Sequence, residues 1–191
     1  MSVREEIIIT AFSLFSKHGC NSVGIDTIAG KSGVSRQTVY NHFESRDELV
    51  LEVMRWQGQH WRFAFRQMIE QRGGAEPLSQ VRCIAPIIRE RLEQPDFKGC
   101  FFMSAAAEFP NPNDAAHKTA QENLNANRSM IEDLATSAGL VDPQLFAKNL
   151  AMVIQGAIIT KVIQQASDSG EHLCDLANIL IERHLSSDDH C

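Results

Sequence analysis

The sequence has little of what builds disulfide-bonded, metal-stapled or membrane-spanning proteins. Its five cysteines are an odd number at irregular spacing, with no CxxC pair, which argues against a disulfide framework and a zinc finger. Charged and polar residues interrupt every long apolar stretch, and the N-terminus lacks the apolar segment of a signal peptide. We therefore expect a cytoplasmic protein that has no membrane partner.

Positive charge is also scarce. The net charge is −6, of which residues 73–191 contribute −7 and residues 1–72 contribute +1. Composition alone therefore does not favour a nucleic-acid partner. Any DNA site in the first third would depend on a few well-placed cations rather than on a broad positive field.

Signatures of catalysis are missing as well. The chain shows no Ser/His/Asp or Cys/His arrangement, phosphate-binding loop, HExxH segment or paired carboxylates. The histidines and cysteines near the C-terminus (His172, His184, His190 and Cys191) have no metal-ligand spacing. We predict that the protein is not an enzyme and has no cofactor and no metal.

What the sequence does have is helical periodicity. Apolar residues recur at intervals of three and four, without the alternation typical of strands. This predicts an all-α fold of about nine helices: a three-helix domain over residues 1–48, a long connecting helix, and a helical domain over 49–191. The predicted helices cover residues 3–18, 25–32, 36–42, 45–72, 77–94, 100–109, 114–138, 143–166 and 171–185, followed by a disordered tail.

The most informative segment runs from Gly24 to Leu49 and reads GIDTIAGKSGVSRQTVYNHFESRDEL. Two short apolar-periodic segments flank Gly33, which is the pattern of a helix-turn-helix. Ser35 is a good N-cap for the second of these helices. Ser45 and Glu48 form the spacing of a capping box that opens the long helix. The second helix of such a unit enters the major groove of DNA.

This segment resembles the tetracycline-repressor (TetR) family of transcriptional regulators over residues 5–52. The motifs Thr27-Ile28-Ala29, Gly33-Val34-Ser35, Thr38-Val39-Tyr40, His42-Phe43 and Ser45-Arg46 all fall at the family's spacing. The resemblance implies a homodimer, a palindromic double-stranded operator, and a C-terminal pocket whose occupancy by a small-molecule effector releases the DNA. Gln37 departs from the family, which usually has a small residue at this position.

Side-chain chemistry assigns roles within the motif. Arg36 is suited to guanine and Gln37 to adenine, so we expect both to read base edges, together with Asn41. Tyr40 is the only tyrosine and offers a hydroxyl for phosphate or sugar; the alternative is that its ring packs between helices. The full set of predicted DNA contacts is Thr27, Lys31, Ser35, Arg36, Gln37, Thr38, Tyr40, Asn41, His42 and Arg46.

The C-terminal two thirds are rich in aromatic and sulfur-containing side chains. Such residues line apolar ligand pockets, although each could equally be plain core. We expect a hydrophobic or aromatic effector, with Gln155 or Glu108 as polar anchor. The predicted pocket residues are Trp56, Trp61, Phe65, Phe101, Phe102, Met103, Phe109, Met130, Met152 and Gln155.

The helix over 143–166 carries an apolar stripe of Phe146, Leu150, Val153, Ala157 and Ile158. With the last helix, it is expected to form a four-helix dimer interface, to bury against the chain's own core, or both. The resulting function is a repressor that an effector releases from its operator. The alternative is a regulator of the same fold that is controlled by a protein partner or by oxidation of Cys20, Cys83 or Cys100; an enzyme is much less favoured.

Overall fold

A computed structural model describes residues 1–185, and this part of the chain is entirely helical, as predicted. The tail SSDDHC, with His190 and Cys191, lies outside the described residues. Helix boundaries agree with the sequence predictions to within about two residues. The helices are α1 (Val3–His18), α2 (Ile25–Ser32), α3 (Arg36–His42), α4 (Arg46–Gly73), α5 (Pro77–Glu93), α6 (Phe101–Glu108), α7 (Ala115–Ser137), α8 (Pro143–Gln164) and α9 (Ser169–His184).

Local capping explains where these helices begin. The Ser35 hydroxyl accepts a hydrogen bond from the Thr38 N–H at 3.0 Å, and the Asp142 carboxylate accepts one from the Leu145 N–H at 3.1 Å. The predicted capping box at α4 is half formed. Ser45 Oγ accepts from the Glu48 N–H at 3.0 Å, whereas the Glu48 carboxylate reaches the N–H of Glu44 instead of that of Ser45.

The chain divides into two compact units whose limits differ from the predicted division after residue 48. The first unit comprises residues 1–61 and 100–124, and the second comprises 62–99 and the chain from 125 onwards. The first unit therefore contains the three N-terminal helices, the first part of α4, all of α6 and the first part of α7. Residue 48 lies in the first turn of α4, within the first compact unit.

The first unit has one continuous core. Fully buried side chains from α1, α2, α3 and α4 pack with side chains from α6 and α7, and burying each large apolar side chain contributes about 1.5–3 kcal/mol. The central members are Ile7, Phe15, Ile28, Val39, Phe43, Leu49, Met54, Phe102 and Ala120.

The second unit is built on contacts of α5 and α8 with α9. Phe146 and Leu150 of α8 and Leu173 of α9 are fully buried. His184 closes this core: it packs edge-on against Phe146 and donates from Nδ1 to the Val141 carbonyl. Of the predicted α8 stripe, Phe146, Leu150 and Ala157 are buried, whereas Val153 and Ile158 are half-buried. The part of this stripe in a dimer interface stays a prediction.

Among the described residues, α8 alone is long and apolar enough to span a membrane by length and composition. Only 22% of the residues in its most apolar 18-residue window are buried within the chain. The packing of Phe146, Ala147 and Leu150 against the chain's own core is typical of a helix of a folded domain.

Candidate DNA-binding interface and partner surfaces

Helices α2 and α3 form the predicted helix-turn-helix. Gly33 ends α2 in the left-handed conformation (φ 69°), which glycine adopts without steric cost and which turns the chain into α3. Ile28 and Val39 are completely buried, and Phe43 follows them into the same core. Because the inward face of α3 is occupied in this way, its remaining side chains are presented to solvent.

Arg36 begins α3 and is held on two sides. Its Nη1 donates to both carboxylate oxygens of Asp26 on α2, at 3.2 and 3.3 Å, and its guanidinium lies 5.6 Å from the centre of the Tyr40 ring. Hydrogen bonding to Tyr40, followed by the nearby Asp26 carboxylate, raises the pKa of Arg36. Asp26 was not singled out by the sequence, since its partner is ten residues away on another helix.

The other predicted contacts on α3 are also paired with one another. Gln37 Nε2 donates to Asn41 Oδ1 at 3.0 Å, and the hydroxyls of Ser35 and Thr38 lie 2.8 Å apart. Tyr40 is 38% exposed, so its ring is not a core residue. The predicted contacts that are exposed include Thr27 and Lys31 on α2 as well as His42 at the end of α3.

Arg46 differs from the other predicted DNA contacts. Its Nε donates to the Val23 carbonyl at 3.0 Å, and its Nη2 donates to the Cys20 carbonyl. Its side chain is 26% exposed. Arg46 therefore binds the loop between α1 and α2 in this structure, and its predicted phosphate contact stays a prediction.

Glu108, at the end of α6, holds the same loop from another direction. Its carboxylate accepts hydrogen bonds from the backbone N–H groups of Cys20 (3.0 Å) and Asn21 (2.7 Å), and Asn21 Nδ2 donates to its carbonyl at 3.1 Å. A Cβ on Gly19 would meet this carboxylate at 3.0 Å. Both carboxylate oxygens of Glu108 are thus bound to the backbone of this loop, and its proposed role as a ligand anchor stays a prediction.

The predicted pocket residues do not fall in one compact unit. Six belong to the first unit (Trp56, Trp61, Phe101, Phe102, Met103 and Phe109), and four belong to the second (Phe65, Met130, Met152 and Gln155).

Burial separates these residues further. Phe102 is 4% exposed within the first unit's core, whereas Met152 is 64% exposed on α8. The exposed side chain of Met152 is not enclosed by the chain itself, and its predicted pocket role stays a prediction. For the other members of the set, the assignment likewise stays a prediction.

The exposed face of α8 carries a regular apolar seam. Leu145, Met152, Ile159 and Ile163 are each at least 42% exposed, and Asn149 and Gly156 complete spacings that alternate between four and three residues. This spacing, close to 3.5 residues per repeat, is that of a helix packed against a partner helix. The seam is distinct from the buried stripe of Phe146, Leu150 and Ala157.

Helix α9 continues this surface. Leu176 and Ile179 are 47% and 62% exposed, and Leu176 also lines a cleft of about 260 Å³ between α8 and α9. The cleft is lined by Val153, Gly156 and Ala157 of α8 and by Leu173 and Leu176 of α9, together with three polar residues. None of the predicted pocket residues lines it.

Three of the thiols are placed unfavourably for redox sensing, which needs an accessible thiol with a lowered pKa. Burial, with a smaller contribution from the Glu108 carboxylate, raises the pKa of Cys20 to about 12. Burial also raises the pKa of Cys100, despite the helix N–H groups above it, and that of Cys174. Within residues 1–185, no three His, Cys, Asp or Glu side chains are grouped to hold a metal ion.

The N-terminal helix-turn-helix exposes a polar recognition helix and is followed by a second helical unit. This arrangement is typical of a DNA-binding regulator with an N-terminal DNA-binding domain. Comparisons with known proteins agree. Residues 7–53 match the family model described as bacterial regulatory proteins, tetR family. The HTH-type transcriptional regulator YjdC of Escherichia coli is 21% identical over 85% of both chains.

Two further relatives match over a shorter part of the chain. The transcriptional activator FasR of Mycolicibacterium smegmatis is 39% identical over 27% of this chain and 23% of its own. The probable acrEF/envCD operon repressor of Escherichia coli is 34% identical over 28% of this chain and 24% of its own.

Solved structures extend the likeness to the whole fold. A TetR-family regulator from Streptomyces coelicolor superimposes with a TM-score of 0.82 and 25% identity, over 95% of both chains. The N-terminal region of the chain thus matches the TetR family, and the fold of the described residues is that of solved TetR-family regulators. These matches indicate a DNA-binding regulator of transcription rather than an enzyme.

Proposed function

We propose that this regulator acts as a cytoplasmic homodimeric repressor that binds a palindromic operator and leaves it when a small hydrophobic or aromatic effector binds. The observation that carries the DNA-binding part is the α2–α3 surface. Its inward side chains are fully buried, while Arg36, Gln37, Tyr40 and Asn41 face solvent. Arg36 and Gln37 read base edges, and Thr27, Lys31, Tyr40 and His42 contact the backbone.

The homodimer is supported by the apolar seam of α8 and α9. Monomeric soluble proteins rarely leave a contiguous apolar patch of this kind uncovered. A two-fold axis would pack the seams of two copies together as a four-helix interface, in which the small Gly156 permits close approach. Two recognition helices would then meet successive major grooves, about 34–36 Å apart.

The effector part rests on the aromatic content of the first unit and on the continuity of α4. Phe12 contacts both Trp56 of α4 and Phe101 of α6, with ring centres 5.8 and 5.4 Å apart. Helix α4 is continuous from Arg46, which closely follows the helix-turn-helix, to Gly73. A coupling of about 1–3 kcal/mol between effector and DNA would suffice to switch operator occupancy.

The experiment that tests the DNA-binding proposal is selection of enriched sites from a random duplex pool by the full chain. The expected result is an inverted repeat. The Arg36→Ala variant should bind with relaxed preference at one position of each half-site, because a bidentate contact to guanine is lost. No enrichment by the wild type, or an unchanged preferred sequence in Arg36→Ala, would contradict the proposal or the role of Arg36, respectively.

Repression is tested separately. A promoter that carries the selected repeat is placed before a reporter gene, and expression is measured with and without the regulator. Lower expression with the wild type, restored in the Arg36→Ala variant, is the expected result. Higher expression with the wild type would make the protein an activator and would leave the DNA-binding proposal intact.

A further inference from the structure

Asp26 stands at an unexpected place for a DNA-binding surface. It is a carboxylate on α2 with a side chain 76% exposed, next to the recognition helix, where it would face the phosphates of a bound duplex. A negative charge at such a position works against affinity, since phosphate contacts dominate the binding free energy. Its presence calls for a compensating role, and its partner indicates one.

We propose that Asp26 is a specificity-determining residue that fixes the guanidinium of Arg36 for base reading. This proposal rests on the proposed function, in which Arg36 contacts a guanine. The Asp26 carboxylate receives two contacts from Arg36, at 3.2 and 3.3 Å, both from Nη1. Arginine carries three further N–H donors on Nη2 and Nε, and two of these can bond O6 and N7 of guanine in parallel.

The Tyr40 ring limits Arg36 from the other side. The guanidinium carbon lies 5.6 Å from the ring centre, within the range of a cation–π contact. A flexible side chain held between a carboxylate and a ring loses less conformational entropy when it binds a base. The same restraint also penalises wrong sequences, because a guanidinium held by Asp26 and Tyr40 cannot readily turn toward another acceptor when the guanine is replaced.

The alternative is a purely structural role, in which Asp26 only stabilises α2. It lies in the first turn of that helix, where a carboxylate interacts favourably with the helix dipole. That role would affect the stability of the domain and its affinity for all sequences alike. It would not change the ratio of affinities for two operators that differ at a single base.

The test is a double-mutant cycle in the full chain with Asp26→Asn, Arg36→Ala and the double variant. Dissociation constants are measured by fluorescence anisotropy at one salt concentration, on the selected operator and on the same operator with the Arg36-dependent guanine replaced. We expect Asp26→Asn to reduce the preference for guanine by several-fold, within the about 5- to 150-fold that a bidentate contact supplies. In the Arg36→Ala background, it should reduce that preference no further.

Glu6→Gln is the matched control, since it removes one carboxylate charge from an exposed position on α1. It should leave the base preference unchanged, and a thermal melt checks that every variant is folded. An unchanged preference in Asp26→Asn, or the same reduction with and without Arg36, would overturn the assignment of Asp26. A wild type that selects no sequence would overturn the proposed function itself, which is a distinguishable result.

Discussion

Helices α3 and α8 both carry residues that the sequence marks as functional, yet they present opposite surfaces. α3 buries its apolar residues and exposes Arg36, Gln37 and Asn41, whereas α8 buries one apolar stripe and exposes a second. The polar face of α3 is suited to a solvated, charged partner such as DNA. The second apolar stripe of α8 is suited to a partner that excludes water, and in the proposed homodimer a second copy of the chain supplies such a surface.

The largest effect is expected from a charge placed on the α8 seam, which tests whether this apolar surface packs against a second copy. Ile163→Glu should dissociate the homodimer, because each of two symmetric copies loses about 1.5–3 kcal/mol of apolar burial and gains a carboxylate to desolvate. Sedimentation velocity measures the change. Because Ile163 is 72% exposed in the single chain, the monomer should remain folded.

The neighbouring Gln164→Glu variant is the control for this prediction. It adds the same charge at an exposed polar position next to the seam, and it should remain dimeric. An Ile163→Glu variant that sediments like the wild type would place the interface elsewhere.

The next largest effect is expected at Phe43, the buried residue that follows the end of α3. Phe43 is 1% exposed, and Phe43→Ala should reduce the free energy of unfolding by about 3–5 kcal/mol through lost burial and the cavity left behind. Urea denaturation followed by circular dichroism measures it. A loss below about 1 kcal/mol would mean that the core of the first unit can collapse around the site.

A smaller effect is expected in the loop between α1 and α2. Gly19 has φ 85° and ψ 152°, a conformation that is almost confined to glycine, and the Glu108 carboxylate fills the space where a Cβ would be. Gly19→Ala should therefore cost about 1–3 kcal/mol of stability, measured in the same urea experiment. Gly30→Ala, inside α2 with open space around it, is the control and should be neutral or stabilising.

The smallest effect is expected at the outer face of α3. Tyr40→Phe removes one hydroxyl from an exposed ring and should weaken binding to all DNA sequences by about 2- to 10-fold, the value of one hydrogen bond. Titrations on the selected operator and on an unrelated duplex measure both affinities. A change confined to the selected operator would show that Tyr40 reads a base instead of the backbone.

Much of this architecture follows from sequence because it depends on local rules. Residues within one turn set the caps at Ser35 and Asp142 and the left-handed turn at Gly33. The boundaries of the nine helices in residues 1–185 were therefore predicted to within about two residues. The motif around α3 also placed the exposed residues correctly, since its buried positions are spaced by the helix period.

What sequence could not supply depends on pairing across the fold. Arg36 and Asp26 are 10 residues apart, and Glu108 reaches Asn21 across 87 residues. No spacing rule links such positions. In α8, apolar residues lie on two faces, so periodicity could not separate core from interface, and Met152 was predicted for a pocket although it lies on the exposed seam.

In the proposed dimer, the α8–α9 interface holds two recognition helices at a set separation, so that they bind two half-sites on one face of the duplex. The most direct test is the affinity of the wild type for its selected inverted repeat when about five base pairs, half a helical turn, are inserted between the half-sites. We expect the affinity to fall to nearly that of a single half-site. Equal affinity for both spacings would contradict a rigid dimer and would mean that each helix-turn-helix domain binds independently.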